Sequence, residues 1–250
     1  MVRFLLPVAT LWQRELYHFW RQKSRVLGVV ASPLIFWLVI GFGSGEQGPR
    51  FFFPGTIVLT VMFSAIFSTI SIIEDRREGF LLSMLVSPAS RASLVLGKTL
   101  GAATLAWIQG AILLVFAPVA GFHPGLLQLL EVAGALFLIS FALSAMGFFF
   151  AWKFDSSQGY HAVMNLLMMP MWLVSGAVFS IASAHGWIRA IMWVNPLTYS
   201  LSLLRGLLAE APDPAEPSLA AGFAVTTAFG LALLAASVVL ANRKSVRNVG

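Results

Sequence analysis

The chain has no cysteine, which excludes disulfide frameworks, thiol nucleophiles and thiolate metal sites together. It is also poor in charge. Lysine, arginine, aspartate and glutamate make up 10% of the 250 residues, against about 25% in an ordinary soluble domain. What fills the sequence instead is apolar: 58% of residues are hydrophobic and the mean hydropathy is +0.86. One soluble core of this size could not hide so much apolar surface. A bilayer accepts it, since each crossing helix takes roughly 20 mostly apolar residues. The fold class that follows is an all-α integral membrane protein.

Apolar windows fall at about 26–43, 51–73, 98–121, 127–152, 160–181 and 218–241, giving six transmembrane helices in one domain over 1–250. Breaks separate them at Gly48-Pro49, the charged segment 74–98, His123-Pro124, Asp155-Ser156-Ser157 and Pro212 to Pro217. The first apolar run follows Arg21, Lys23 and Arg25 without a small-residue cleavage site, so it is expected to act as its own insertion signal. Six crossings put both termini on one side. With that side cytoplasmic, 13 of the 16 lysines and arginines lie inside and only Arg50, Arg189 and Arg205 outside. The acidic residues split evenly, as expected of residues that do not steer topology. The net charge of +6 therefore reflects membrane anchoring, and a nucleic-acid partner is not needed to explain it.

Two stretches do not fit the simple span pattern. Residues 1–25 alternate Leu5, Leu11, Trp12, Leu16 and Phe19 with Gln13, Arg14, Glu15 and Arg21, the pattern of an amphipathic helix lying on the cytoplasmic surface. Residues 182–208 are apolar enough for a seventh span, but that would place Arg205 in lipid at about 2.5–3.5 kcal/mol. Asn195-Pro196 also divides the run. Two short re-entrant helices, about 186–194 and 197–208, are expected near the outer surface, in a place where irregular backbone must be shielded by protein or face a wet cavity.

Seven of the 26 charged residues crowd into 74–98, EDRREGFLLSMLVSPASRASLVLGK. Acidic residues open a helix over 74–86, Phe80, Leu81, Met84 and Leu85 recur at helical spacing, Ser87-Pro88 ends it and Ser90 can cap the next helix. A solvated loop would not need that apolar face; a helix pressed on a soluble partner would. Gly97-Lys98-Thr99 imitates the end of a phosphate-binding loop, but the first glycine would be Ala92 and no strand precedes it. Lys98 is expected to anchor at the headgroups instead. Ser175-Gly176 with His161 or His185 suggests an intramembrane serine protease, but Leu173 stands where its motif needs glycine. A channel would show polar rings in its spans; the spans here carry mostly serine, threonine, Gln109 and Asn165. Gly97 with Gly101, and Ser140, Ser144 and Gly147, form small-residue faces for helix packing, either within the chain or across a dimer seam. Phe51–Phe53 and Phe148–Phe150 are expected to face lipid or the headgroup boundary, and Glu131 and Arg205 to sit at outer span ends.

The segment at 74–98, followed in order by PMWLVSGAVF from Pro170 and NPLTYSLSLLRGLL from Asn195, resembles the permease subunits of type-2 ABC exporters, which move drugs, lipids and polysaccharides. The resemblance implies that 74–86 is a coupling helix seated on a separate ATPase subunit through Glu74, Glu78, Phe80, Leu81, Met84 and Leu85. It implies an outer gate around Asn195, Pro196, Tyr199 and Arg205; Glu131, by its place at an outer span end, either anchors at the interface or lines the mouth of a substrate pathway. It further implies a second permease copy, forming a homodimer among membrane lipids. The chain itself would then be no enzyme and hold no cofactor, ATP and magnesium belonging to the ATPase. The cargo would be amphipathic, lipid-like, drug or glycan, moved outward across the inner (plasma) membrane. A passive scramblase or channel is the competing class, with the serine protease third.

Overall fold

The computed structural model describes residues 2–20, 23–45, 48–87, 89–209 and 214–247, without the side chains of 2, 3, 20, 23–27, 85 and 244–247. The regular structure among those residues is helical, in the order α1 (Val2–Trp20), α2 (Lys23–Gly43), α3 (Gly48–Thr69), α4 (Ser71–Arg77), α5 (Phe80–Val86), α6 (Arg91–Leu114), α7 (Leu126–Ala151), α8 (Ser157–Trp172), α9 (Gly186–Val194), α10 (Pro196–Leu208) and α11 (Leu219–Arg247). A π-turn at Leu173–Ala177 follows α8.

Each apolar run read from the sequence coincides with one of α2, α3, α6, α7, α8 and α11. Among the described residues, three stretches qualify by length and apolarity to cross a membrane: Gly48–Arg77, Leu126–Ala151 and Leu219–Arg243. Gly28–Gly43 is apolar but shorter. Lys98 and Gln109 dilute α6, and α8 is only 16 residues long.

The first of these stretches is the axis of the bundle. It is buried along 89% of its most apolar window, whereas Leu219–Arg243 is buried along only 17%. Around α3 pack α2, α6 and α7; α1 lies on α6, and α11 covers α7 and α10. Local chemistry sets many of the ends. The Ser90 hydroxyl accepts from the Ser93 amide at 3.1 Å at the start of α6, and Ser156 accepts from Gly159 at 3.3 Å at the start of α8. Asn195 does the same for α10, accepting from the Leu197 amide at 3.0 Å with Pro196 in the first helical position.

Long-range contacts define two ends. At one, Arg76 and Arg77 of α4 bind the turn between α7 and α8, through Asp155 and the carbonyls of Trp152 and Phe154. At the other, Arg205 reaches the π-turn and the start of α3. The first end gathers Arg14, Arg76, Arg77, Lys98, Lys153 and Arg243 and is called the basic end below.

Several expectations change. The helix expected over 74–86 is two short helices, broken where Gly79 adopts φ +79°. That left-handed backbone suits glycine and closes the turn between α4 and α5. The phenylalanine triplets do not all face lipid: Phe52, Phe53 and Phe148 are buried. Trp37 and Phe122 pack against Phe53 at tilted angles, and Trp152 stacks on Phe148. The apolar run 160–181 does not stay regular, because Gly176 turns at φ +99°.

Candidate functional site

The basic end is organised by a buried charge cluster that joins α1, α4 and α6. Val8, Leu11, Glu15 and Phe19 form the buried face of α1, and this face sits on Gly97 and Gly101 of α6. A Cβ on Gly101 would lie 2.6 Å from the Glu15 Cβ, and one on Gly97 only 2.9 Å from the Val8 carbonyl oxygen. The close approach needs glycine at both positions. This small-residue face is therefore occupied within the chain.

The contact carries Glu15 inward. Lys98 Nζ donates to Glu15 Oε1 at 2.7 Å, to Ser71 Oγ at 3.3 Å and to Asp75. Ser71 Oγ donates to Glu15 Oε2 at 2.6 Å. Arg14 forks onto Asp75, Nη2 to Oδ1 at 2.6 Å and Nη1 to Oδ2 at 3.2 Å. The Lys98 side chain is 1% exposed, and Glu15 and Asp75 are each 4%. Lys98 is thus not a headgroup anchor. Two cations and two carboxylates neutralise one another where lone charges would be strongly disfavoured.

The same cluster touches the segment expected to meet a partner. The Arg14 guanidinium lies 3.9 Å from the centroid of the Phe80 ring, within cation–π range. Leu81 is buried, and Phe80 and Met84 are half-buried against the core. The apolar face expected to press on a partner therefore packs on the chain's own bundle. The exposed face of α5 is Leu82, Ser83 and Val86, with Leu82 63% and Val86 85% exposed. Glu78 is exposed beside it and Glu74 half-buried. The Leu85 side chain lies outside the described residues. The ion cluster went unread in the sequence. Its one local signal was Glu15 at helical spacing from Val8 and Leu11, a charge on a packing face.

The opposite end holds the other expected site residues. Asn195 Nδ2 donates to the Met171 carbonyl at 2.6 Å, tying the α9–α10 junction to α8. Tyr199 Oη donates to the Trp193 carbonyl at 2.9 Å, so the two short helices brace each other. Arg205 bonds Glu216, donates through Nη2 to the Gly176 carbonyl at 3.0 Å, and lies 4.8 Å from the Phe51 ring centroid. Glu131 is exposed and lines an open groove of about 550 Å³ with Gln128, Leu127, Leu207 and Leu219. Arg205 does not line that groove, though its neighbour Gly206 does. The Ser175 hydroxyl is buried and donates to the Trp172 carbonyl at 2.7 Å.

A sequence profile described as the ABC-2 type transporter matches residues 7–209, from α1 to the end of α10. The chain belongs to that family. It is similar to a putative transport permease, ycf38, of Cyanophora paradoxa, 24% identical over 221 residues, covering 83% of this chain and 76% of the relative. It is similar to Nodulation protein J of Sinorhizobium fredii, 26% identical over 216 residues and 81% of each chain. A shorter likeness joins it to the probable multidrug ABC transporter permease YbhR of Escherichia coli, 25% identical over 142 residues, 57% of this chain and 39% of that one. The protein is a transmembrane permease subunit, and permeases of this family generally work with an ABC ATPase subunit.

Proposed function

We propose that the chain is the membrane half of an ATP-driven exporter. In this reading α2, α3, α6, α7, α8 and α11 cross the inner (plasma) membrane, and the basic end faces the cytoplasm with both termini. A second copy completes the permease, and a separate ATPase holds ATP and magnesium. The observation that carries the reading is α5. It presents Leu82 and Val86 to solvent at the end where the basic residues gather, with exposed Glu78 and Arg77 beside them. An apolar knob with a charged rim is the anatomy of a protein–protein contact. Phe80, Leu81 and Met84 seat that knob on the bundle, and Glu74 begins the charged rim.

Closure of the ATPases on ATP pushes α5, and the bundle responds at its far end around Asn195, Pro196, Tyr199 and Arg205, with Glu131 in the adjoining groove. The second copy is supported by α8. This helix exposes Asn165 among Val163, Leu166 and Leu167, and a carboxamide in hydrocarbon favours a hydrogen-bonding neighbour across a helix interface. The cargo class is amphipathic or lipid-like, drug or glycan; "multidrug" in the name of the E. coli relative agrees with it.

Purification of the tagged chain from its native membrane in mild detergent tests this. A stoichiometric ATPase should accompany the chain and be lost on Val86→Asp. A homo-oligomer without ATPase would overturn the proposal and leave a passive scramblase or channel.

A further inference from the structure

The buried cluster at the basic end does more than the exporter reading asks of it. Well-packed apolar residues often match or exceed a buried ion group in stability, so stability alone does not account for four charges here. What such a group supplies is a fixed register between the elements that hold it. Here those elements are α1 through Arg14 and Glu15, α4 through Asp75, and α6 through Lys98.

The geometry gives that register a direction. Besides its seat on the core through Leu81 and Met84, helix α5 packs on α4, so its displacement also enters the bundle through α4 and through the stack of Arg14 on Phe80. Both routes converge on Asp75, which Arg14 forks and Lys98 contacts. Lys98 is fixed to α6 one residue beyond Gly97, on which α1 is seated without clearance. A push on α5 therefore has a short path into α6 that bypasses the backbone of α3.

We propose that Arg14, Glu15, Asp75 and Lys98 are positioning residues that clamp α1 as a strut between α5 and α6 and so deliver the ATPase stroke to the spans. The inference rests on the exporter reading and adds to it the residues that transmit.

Absence of native cysteine permits a clean test. Val194 is 84% exposed at the end opposite the cluster. A Val194→Cys reporter, in nanodiscs with the co-purified ATPase, is labelled by a membrane-impermeant maleimide with and without ATP and magnesium. In the otherwise unmodified complex, ATP should change the labelling rate by about fivefold or more. Arg14→Gln removes the tie to Phe80 while leaving Lys98 on both carboxylates. Glu15→Met with Lys98→Met removes one charge of each sign and leaves the Arg14–Asp75 fork.

Both variants should retain the ATPase and its turnover, yet show a labelling response below about twofold. A purely structural role would lose complex and turnover together, and that result overturns the proposal. A full labelling response in either variant overturns it equally. If no ATPase accompanies the unmodified reporter chain, or ATP leaves its labelling unchanged, the exporter reading itself fails before any cluster variant is made.

Discussion

Replacing Lys98 by methionine gives the sharpest stability test of the buried cluster. The substitution keeps side-chain length and removes one of two cations. Glu15 and Asp75, each 4% exposed, lose their shared donor, and only Arg14 remains to face both. Breaking a buried pair from one side costs about 3–5 kcal/mol, since it leaves a charge uncompensated. For a chain of this size about 1 kcal/mol moves the melting temperature by 2–4 °C, so the variant should melt roughly 6–20 °C lower. The eight tryptophans allow melting to be followed by intrinsic fluorescence in detergent. The double variant Glu15→Met, Lys98→Met restores neutrality around the Arg14–Asp75 fork and should recover more than half of the loss. A drop under about 2 °C for Lys98→Met, or a double variant as unstable as the sum of its singles, would refute the reasoning.

Three further outcomes follow from contacts elsewhere. A Cβ on Gly147 would lie 2.6 Å from Thr69 Oγ1, which Tyr160 and the Ala65 carbonyl hold in place; Gly147→Ala should cost about 1–3 kcal/mol by the same melting assay, and Thr69→Ser should restore little. Leu82→Asp, on the exposed face of α5, should shift stability by no more than about 0.5 kcal/mol while abolishing ATPase retention in a pull-down; a retained ATPase would move the docking face elsewhere. Arg205→Met strips the partner from Glu216, whose side chain is 9% exposed, and the donor from the Gly176 carbonyl; a loss of about 3 kcal/mol is expected, relieved in part by adding Glu216→Gln.

What the sequence made legible was chemistry that acts within a few residues. Apolar runs of span length marked the helices, the Ser90 hydroxyl marked the start of α6, and Asn195-Pro196 marked the joint between α9 and α10. Each of these signals operates through the backbone beside it. The break at Gly79 was also local, but the apolar periodicity of Phe80, Leu81 and Met84 outweighed it in the reading. That periodicity is realised in three dimensions, where Leu81 is buried and Phe80 and Met84 pack on the chain's own core. Lys98 was misread for a different reason. Its partners lie 83 and 23 residues away, and nothing adjacent to a lysine at a span end reveals a carboxylate arriving from another helix. The glycines at 97 and 101 were recognised as a packing face, whereas their occupant, α1, was visible only in three dimensions. Phe53 and Phe148 were lost in the same way, since aromatic rings suit lipid and core equally.

The seat of α1 also dictates an order of events during synthesis. Glu15 is made before its partner, and the lysine that neutralises it is 83 residues further along. At 5–20 residues per second the ribosome needs about 4–17 s to bridge that interval. Throughout it, the Glu15 carboxylate lacks the lysine that neutralises it, and burying it alone would be strongly disfavoured. Docking of α1 on α6 therefore waits for residue 98, and a chain stalled before it leaves the face of Val8, Leu11 and Glu15 uncovered.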